Sequence, residues 1–147
     1  MPDFKGKRIA ALDVGTKRIG YATCDEYHVA VTPRLFFDAT KEDLYERIGK
    51  QLDNDRIDVL VVGIPLSHND EMTPMAKLIT VFVEGLRVAF SIPIIEFDEA
   101  FSTREAFVTM AVTKKAKKKQ QEKRQKDIVA AAVILRKFLY YLKRKKL

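Results

Sequence analysis

The stretch ALDVGTKRIGYA, residues 11–22, decides how this chain folds. An apolar run from Ile9 to Leu12 ends in the carboxylate of Asp13, and Gly15 and Gly20 then bracket a basic corner. This pattern predicts a strand that brings Asp13 to the edge of a sheet, followed by a tight turn into a second strand. Because an aspartate is rarely buried without a partner or a metal, we expect other residues to meet Asp13.

The composition is that of a soluble, single-domain globular protein. The 147 residues are enough to bury a proper core. The net charge of +7 favours a polyanionic partner. Cys24, the only cysteine, has no partner for an internal disulfide, and we expect a reduced structural thiol in a cytoplasmic protein. Residues 1–8 lack the apolar core of a signal peptide, and no apolar run is long enough to span a bilayer, so we expect no membrane association.

Three strands are predicted in the first part of the chain, over residues 7–13, 18–25 and 28–37. The turns between them are so short that neighbouring strands must be antiparallel, as in a meander. Thr40 then resembles a helix N-cap, and Leu44, Ile48 and Leu52 follow with helical spacing.

Helices and strands alternate in the second part of the chain. The apolar run in residues 56–63 is typical of a central parallel strand. Thr73 and Pro74 suit the N-cap and first residue of a helix. The remaining predictions are a strand over residues 92–97, a short helix from Ser102 to about Val112, and a final helix over residues 127–143.

This order predicts an α/β fold with a five-stranded mixed sheet, in which an antiparallel meander is joined by two crossover strands and flanked by helices. Such a layout is RNase H-like. The absence of internal repeats and of Gly/Ser-rich linkers indicates a single domain over residues 1–147, with a basic, mobile stretch at about 114–126.

Acidic residues lie where this layout brings several elements together. Asp13 ends the first strand, Asp98 and Glu99 end the last strand, and Asp127 begins the final helix. Ala130, Ala131 and Ala132 would let that helix approach the sheet closely. Clustered carboxylates favour Mg²⁺ or Mn²⁺, and two such ions can activate water against a phosphodiester. Asp13 as a turn cap and Asp127 as a favourable helix-terminal charge are the structural alternatives.

Four stretches resemble the motifs of the YqgF family, whose members are named pre-16S rRNA nucleases and also called Holliday junction resolvase-like. They are, in the family order, DVGTKRIG at 13–20, VVGIPL at 61–66, DEAFSTREA at 98–106 and KDIVAAAVIL at 126–135. The resemblance implies an RNase H-like fold and a metal-dependent nuclease with Asp13, Glu99 and Asp127 as its catalytic and metal-binding acids, Asp98 being the alternative to Glu99. Ala100 stands where the family usually carries an arginine.

Basic residues around these acids are the candidates for nucleic-acid binding. Lys17 and Arg18 flank Asp13, and a dense basic run precedes Asp127. Such runs contact phosphates without reading bases. The predicted contacts are Lys17, Arg18, Arg104, Lys114, Lys115, Lys117, Lys118, Lys119, Lys123, Arg124 and Lys126. For a second basic run, at residues 143–146, a solvated tail is an adequate explanation.

The leading hypothesis is a Mg²⁺- or Mn²⁺-dependent endonuclease, holding two ions, that acts on structured RNA in the 5′-end processing of a 16S rRNA precursor. A Holliday junction resolvase acting on branched DNA is a close variant. A non-catalytic, basic RNA-binding ribosome-assembly factor is a further alternative, and a nucleotide phosphotransferase would need a second domain. The expected partners are nucleic acid and ribosomal particles, for a monomer or a homodimer.

Overall fold

The computed structural model describes residues 4–65, 72–98 and 123–145, with side chains of the last segment described from residue 129 onward. Five strands and three helices occur in these ranges. They are β1 (Ile9–Val14), β2 (Arg18–Cys24), β3 (Val31–Asp38), α1 (Leu44–Asn54), β4 (Val59–Ile64), α2 (Pro74–Ala89), β5 (Ile94–Asp98) and α3 (Lys123–Lys145). No helix in these ranges is both long and apolar enough to cross a bilayer.

The five strands form one mixed sheet in the order β3-β2-β1-β4-β5. The pairs β1–β2 and β2–β3 are antiparallel, whereas β1–β4 and β4–β5 are parallel. The predicted meander and the two crossover strands are therefore confirmed. Because β1, β4 and β5 run in the same direction, their carboxyl ends lie at one end of the sheet, which we call the top; the opposite end is the foot.

Each face of the sheet is covered by its own helices. One core packs α1 and α2 against alternate strand residues such as Leu12, Leu60 and Val62. The other core packs α3 against the intervening residues, among them Ala11, Ala22 and Val61. A strand directs successive side chains to opposite faces, so membership of one core or the other shows which way each strand residue points.

The packing of α3 against the sheet uses small side chains, as the sequence predicts. Ala131 and Ala132 are buried in the same core as Ala11 and Ala22 of the strands. Alanines on both sides allow the helix axis to come close to the sheet. The thiol of Cys24 is also buried in this core and is unpaired, so the predicted structural role is confirmed.

Two predicted helix starts are wrong. Thr40 does not cap α1, because the Asp38 carboxylate accepts hydrogen bonds from the Thr40 amide (2.9 Å) and hydroxyl (2.6 Å), and the helix begins only at Leu44. The final helix begins at Lys123, so Asp127 lies inside it rather than at its first residue. Residues 123–126 of the predicted basic stretch are helical, and its residues 114–122 lie outside the described residues.

The α2 start is as predicted. The Thr73 hydroxyl accepts a hydrogen bond from the Ala76 amide at 3.0 Å, and Pro74 occupies the first turn, where no amide is needed. The third strand begins at Val31 rather than at 28, because residues 25–30 form a turn in which the Asp25 carboxylate accepts the amides of Val29 and Ala30.

Candidate active site

Asp13 lies near the carboxyl end of β1, on the face that α3 covers. Ile9 and Ala11 belong to the α3 core, whereas Leu12 and Val14 pack with the opposite core. Strand alternation therefore directs Asp13 toward the α3 side of the sheet. The residue is half-buried. The structure thus brings this carboxylate to the top of the sheet, as the sequence predicts.

The strand residues on either side of Asp13 have no side chains. Gly20 of β2 is its direct partner in the antiparallel ladder. On the other side, Leu12 pairs with Val62, so the following pair sets Asp13 level with Gly63 of β4. Both glycines are buried. Neither neighbouring strand therefore places a side chain directly beside Asp13.

The corner after Asp13 is a tight turn that requires glycine. The Gly15 amide donates a hydrogen bond to the Arg18 carbonyl at 3.0 Å, and a Cβ on Gly15 would lie 2.7 Å from that same oxygen. The Ala39 amide donates to the Lys17 carbonyl at 2.8 Å, which ties the corner to the end of β3. The backbone is therefore held in place while Thr16 and Lys17 remain exposed.

Arg18 lies on the same face as Asp13, because Ile19 and Tyr21 of β2 point into the opposite core. Its guanidinium lies 5.8 Å from the centre of the Phe36 ring, a cation–π contact that positions the charge at the top of the sheet. Phe36 was not singled out from the sequence. The signal that could have found it is the antiparallel pairing of β2 with β3, which sets Gly20 opposite Phe36.

The end of β5 separates the two acidic alternatives of that strand. Ile95 and Phe97 pack with the α3 core, whereas the Glu96 carboxylate pairs with Arg87 of α2 at 3.3 Å on the other side. Asp98 is two residues beyond Glu96 and shares its face. This alternation directs the Asp98 side chain away from the face of Asp13, and at the edge of β5 Asp98 also borders a cavity lined by Phe138 and Tyr141 of α3.

Most of the other predicted site residues lie outside the described residues or have side chains that do. Within residues 4–65, 72–98 and 129–145, no three histidine, cysteine or acidic side chains are grouped closely enough to hold a metal. Asp13 is thus the one member of the predicted triad whose side chain is described. The helical segment at the start of α3 contains Lys123, Arg124, Lys126 and Asp127. Outside the described residues are Glu99, Arg104, Lys114, Lys115, Lys117, Lys118 and Lys119.

Comparison with known proteins supports the fold seen here. RuvC of Thermus thermophilus in complex with a Holliday junction substrate has a TM-score of 0.62 at 13% identity, over 93% of this chain and 96% of that chain. A second Thermus thermophilus RuvC structure has a TM-score of 0.59, over 92% and 96% of the two chains. These likenesses confirm the RNase H-like fold predicted from the order of strands and helices.

Sequence relatives are closer. A protein of Chlorobaculum tepidum named "Putative pre-16S rRNA nuclease" is 38% identical over 118 residues, which cover 80% of this chain and 82% of the relative. A protein of a Sulfurihydrogenibium species with the same name is 38% identical over 110 residues, covering 74% and 75%. The model of the RuvX family, described as Holliday junction resolvase, matches residues 7–141. The chain therefore belongs to the RuvX family of nucleases, as its four motifs predict.

Proposed function

We propose that this protein is a metal-dependent endonuclease that hydrolyses phosphodiester bonds of structured RNA, in the 5′-end processing of a 16S rRNA precursor. The observation that carries the proposal is the position of Asp13: a half-buried carboxylate at the top of the sheet, facing α3 and flanked by Gly20 and Gly63. Carboxylate oxygens are the ligands that Mg²⁺ and Mn²⁺ prefer, so an acid at this place suits a metal-dependent reaction.

Glu99 is the second acid of the proposal. Asp98 shares the α2 face with Glu96, away from Asp13, so the alternation of β5 favours Glu99 over Asp98 as the partner of Asp13. The register supports the spacing as well. Because β4 separates β1 from β5, acids at the ends of these two strands stand about 10 Å apart across the sheet, a span that metal ions and their ligands can bridge.

Asp127 is the third acid, and the course of α3 supports this choice. The Phe138 ring of α3 packs edge-on against two other rings: Phe4, just before β1, with 5.5 Å between the ring centres, and Phe97, near the carboxyl end of β5, with 5.4 Å. From Phe138 back to Asp127 the helix rises by about 16 Å, and β1 rises by about 13 Å from Ile9 to Asp13. Over this length α3 is long enough to reach the end of the sheet at which Asp13 lies, and the motif at 126–135 supplies the choice of Asp127.

The residue types fit Mg²⁺ or Mn²⁺, which prefer carboxylate oxygens. Asp13, Glu99 and Asp127 would hold two such ions, which supply a nucleophilic water at neutral pH and stabilise the leaving oxygen. The protein's own residues do the remaining work. Lys17, exposed on the fixed corner, and Arg18, held over Phe36, neutralise and orient the scissile phosphate. The predicted basic residues from Arg104 to Lys126 extend this phosphate-binding surface.

RNA is favoured as the substrate because the Chlorobaculum and Sulfurihydrogenibium relatives carry the name of an rRNA nuclease. A Holliday junction is the second candidate, favoured by the description of the family. Two substrates tested side by side, a 16S rRNA precursor and a DNA four-way junction, decide between them. Each is incubated with Mg²⁺, with Mn²⁺ and with EDTA.

Asp13→Asn is the decisive variant, since it keeps the shape of the side chain and removes its charge, and Asp98→Asn is the matched control on the opposite face. Mutating a residue that only hydrogen-bonds to a metal ligand lowers metal affinity or activity by about 10- to 100-fold. We therefore expect Asp13→Asn, which alters a ligand itself, to lower metal-dependent cleavage by ~100-fold or more. Asp98→Asn should leave cleavage nearly unchanged. Cleavage that survives in Asp13→Asn would refute the site. Tight binding without cleavage by the unaltered protein would favour the assembly-factor alternative.

A further inference from the structure

A second cationic feature lies at the foot of the sheet, remote from Asp13. A cavity of about 290 Å³ opens between the turn that joins β2 to β3 and the C-terminal half of α3. We call it the basic cleft. Its walls include His28, Val29, Val31, Arg136, Tyr140 and Lys143. Lys143 belongs to the basic run at residues 143–146, for which the sequence alone does not decide between a solvated tail and nucleic-acid contact.

The charge of the basic cleft is of one sign. Arg136 and Lys143 line it, and none of the lining residues in the described part of the chain carries a carboxylate. Both acids of the turn are engaged elsewhere: the Asp25 carboxylate accepts the amides of Val29 at 2.9 Å and Ala30 at 3.1 Å, and the Glu26 carboxylate pairs with Arg8 at 3.1 Å. A polyanion that enters the cleft can therefore pair with Arg136 and Lys143 without competition from an acidic residue of this lining.

The turn side of the basic cleft is held in one conformation. His28 adopts a left-handed backbone with φ of 59°, and its amide donates to the Asp25 carbonyl at 3.1 Å. The His28 ring nitrogen Nε2 lies 2.8 Å from the Lys7 carbonyl, which can only accept, so Nε2 carries the proton. This bond fixes the imidazole at the wall of the cleft, and little ordering is needed when a ligand binds.

The helix side presents its residues as a stripe. Arg136, Tyr140 and Lys143 follow the spacing i, i+4, i+7 and so share one side of α3. Along the helix, Arg136 is about 14 Å and Lys143 about 24 Å from Asp127. In double-stranded DNA, each strand advances about 3.4 Å per nucleotide along the helix axis, and this rise gives the scale of the spacing. The basic cleft is therefore about four to seven nucleotides from a strand position at Asp127.

We propose that the basic cleft binds two backbone phosphates of the nucleic-acid substrate, one at Arg136 and one at Lys143, several nucleotides from the bond that is cut. The distance to the cut rests on the proposed function, but binding at the cleft does not require cleavage. A contact at this distance would select substrates long enough to reach from the top of the sheet to its foot. It would position the strand without reading its bases.

The test compares two double variants that each remove two positive charges. Arg136→Gln/Lys143→Gln alters the basic cleft, whereas Lys50→Gln/Lys77→Gln removes exposed lysines of α1 and α2 on the opposite face. Both are made in the Asp13→Asn background, and the affinity for the rRNA precursor is measured from 50 to 200 mM salt. We expect the cleft variant to lower the slope of log K against log salt by about 1.4 to 1.8, for two phosphate contacts, and the control to leave it unchanged.

Equal slopes in the two double variants would overturn the proposal, as would an unchanged slope in the cleft variant. The single variant Lys143→Gln changes an exposed residue and should fold normally. It should lower the slope of log K against log salt by about half as much as the double variant of the cleft. NMR signals of the histidine imidazoles distinguish a site for free anions from a site for nucleic acid. The protein has two histidines, and the variant His68→Gln assigns the remaining signals to His28. Shifts of the His28 signals with inorganic phosphate but not with RNA would refute nucleic-acid binding. If the Asp13→Asn protein still cleaved RNA, the proposed active site would be refuted, but the salt dependence of binding would still test the basic cleft.

Discussion

Gly15→Ala is expected to damage both stability and activity, because the β1–β2 corner has no room for a methyl group. An added Cβ would lie 2.7 Å from the Arg18 carbonyl oxygen, and real Cβ atoms essentially never approach closer than 3.0 Å. The corner must therefore open, and the hydrogen bond from the Gly15 amide to that same oxygen, now 3.0 Å, lengthens or breaks. The corner follows Asp13 by a single intervening residue, so its displacement moves the proposed metal ligand.

The magnitude follows from three contributions. Loss of the hydrogen bond costs about 0.5–1.5 kcal/mol, and forcing a methyl group into a packed site costs about 1–3 kcal/mol. Alanine also lowers the conformational entropy of the unfolded chain, which stabilises the folded protein by about 0.4–1 kcal/mol. We expect the free energy of unfolding to fall by about 1–3 kcal/mol, which is a fall in Tm of about 3–9 °C at roughly 3 °C per kcal/mol.

The assay is urea denaturation together with cleavage measured at a temperature where the variant is folded. Thr16→Ala is the matched control, since Thr16 is exposed in the same corner and its side chain is not packed there. We expect this control to change the free energy of unfolding by no more than about 0.5 kcal/mol and to leave cleavage intact. A Gly15→Ala protein as stable and as active as the control would show that the corner is not constrained as described.

Two further predictions concern ionisable groups. Burial raises the pKa of the Cys24 thiol to about 11, so we expect iodoacetamide at pH 8 to modify it only as fast as the protein unfolds, and rapid modification of the folded protein would contradict its burial. Asp25 and Asp38 have pKa values lowered by hydrogen bonds, chiefly from the Val29 amide and the Thr40 hydroxyl respectively. A carboxyl group whose pKa is lowered in the folded state stabilises the protein at pH values above the ordinary aspartate pKa, and this stabilisation is lost as the pH falls below it. The urea midpoint of unfolding should therefore decline below about pH 4. The decline should be less steep in Asp38→Asn.

Much of the fold follows from local features that the sequence displays. The meander follows from turns too short for any other connection, and the start of α2 follows from Thr73 and Pro74, whose preferences agree with the surrounding pattern. The start of α1 does not follow, because Thr40 could cap a helix or bond to Asp38, and the Asp38 carboxylate two residues earlier captures it. The start of α3 was misplaced because Asp127 resembles a helix-terminal acid, although the lysines before it are good helix formers.

The sequence identifies candidate site residues, but the face of the sheet on which each lies follows only once the packing of the strands and helices is known. The motif around Asp13 identifies the residue, but its orientation depends on which face α3 covers, and this is settled by packing. The choice between Asp98 and Glu99 needed the same information. The basic cleft could not be predicted at all, since His28 and Arg136 are separated by most of the chain and meet only because α3 crosses the foot of the sheet.

The geometry of β1 couples the stability of the domain to its proposed chemistry. Ile9, Ala11 and Asp13 alternate onto one face, so the helix that buries the first two must also cover the third. If α3 packed on the other side, Asp13 would face no helix that carries an acid. Small side chains at Ala11 and Ala131 keep α3 close to the sheet. A larger residue at either position would push α3 away from the sheet, and we expect it to lower both the stability of the protein and the proposed activity.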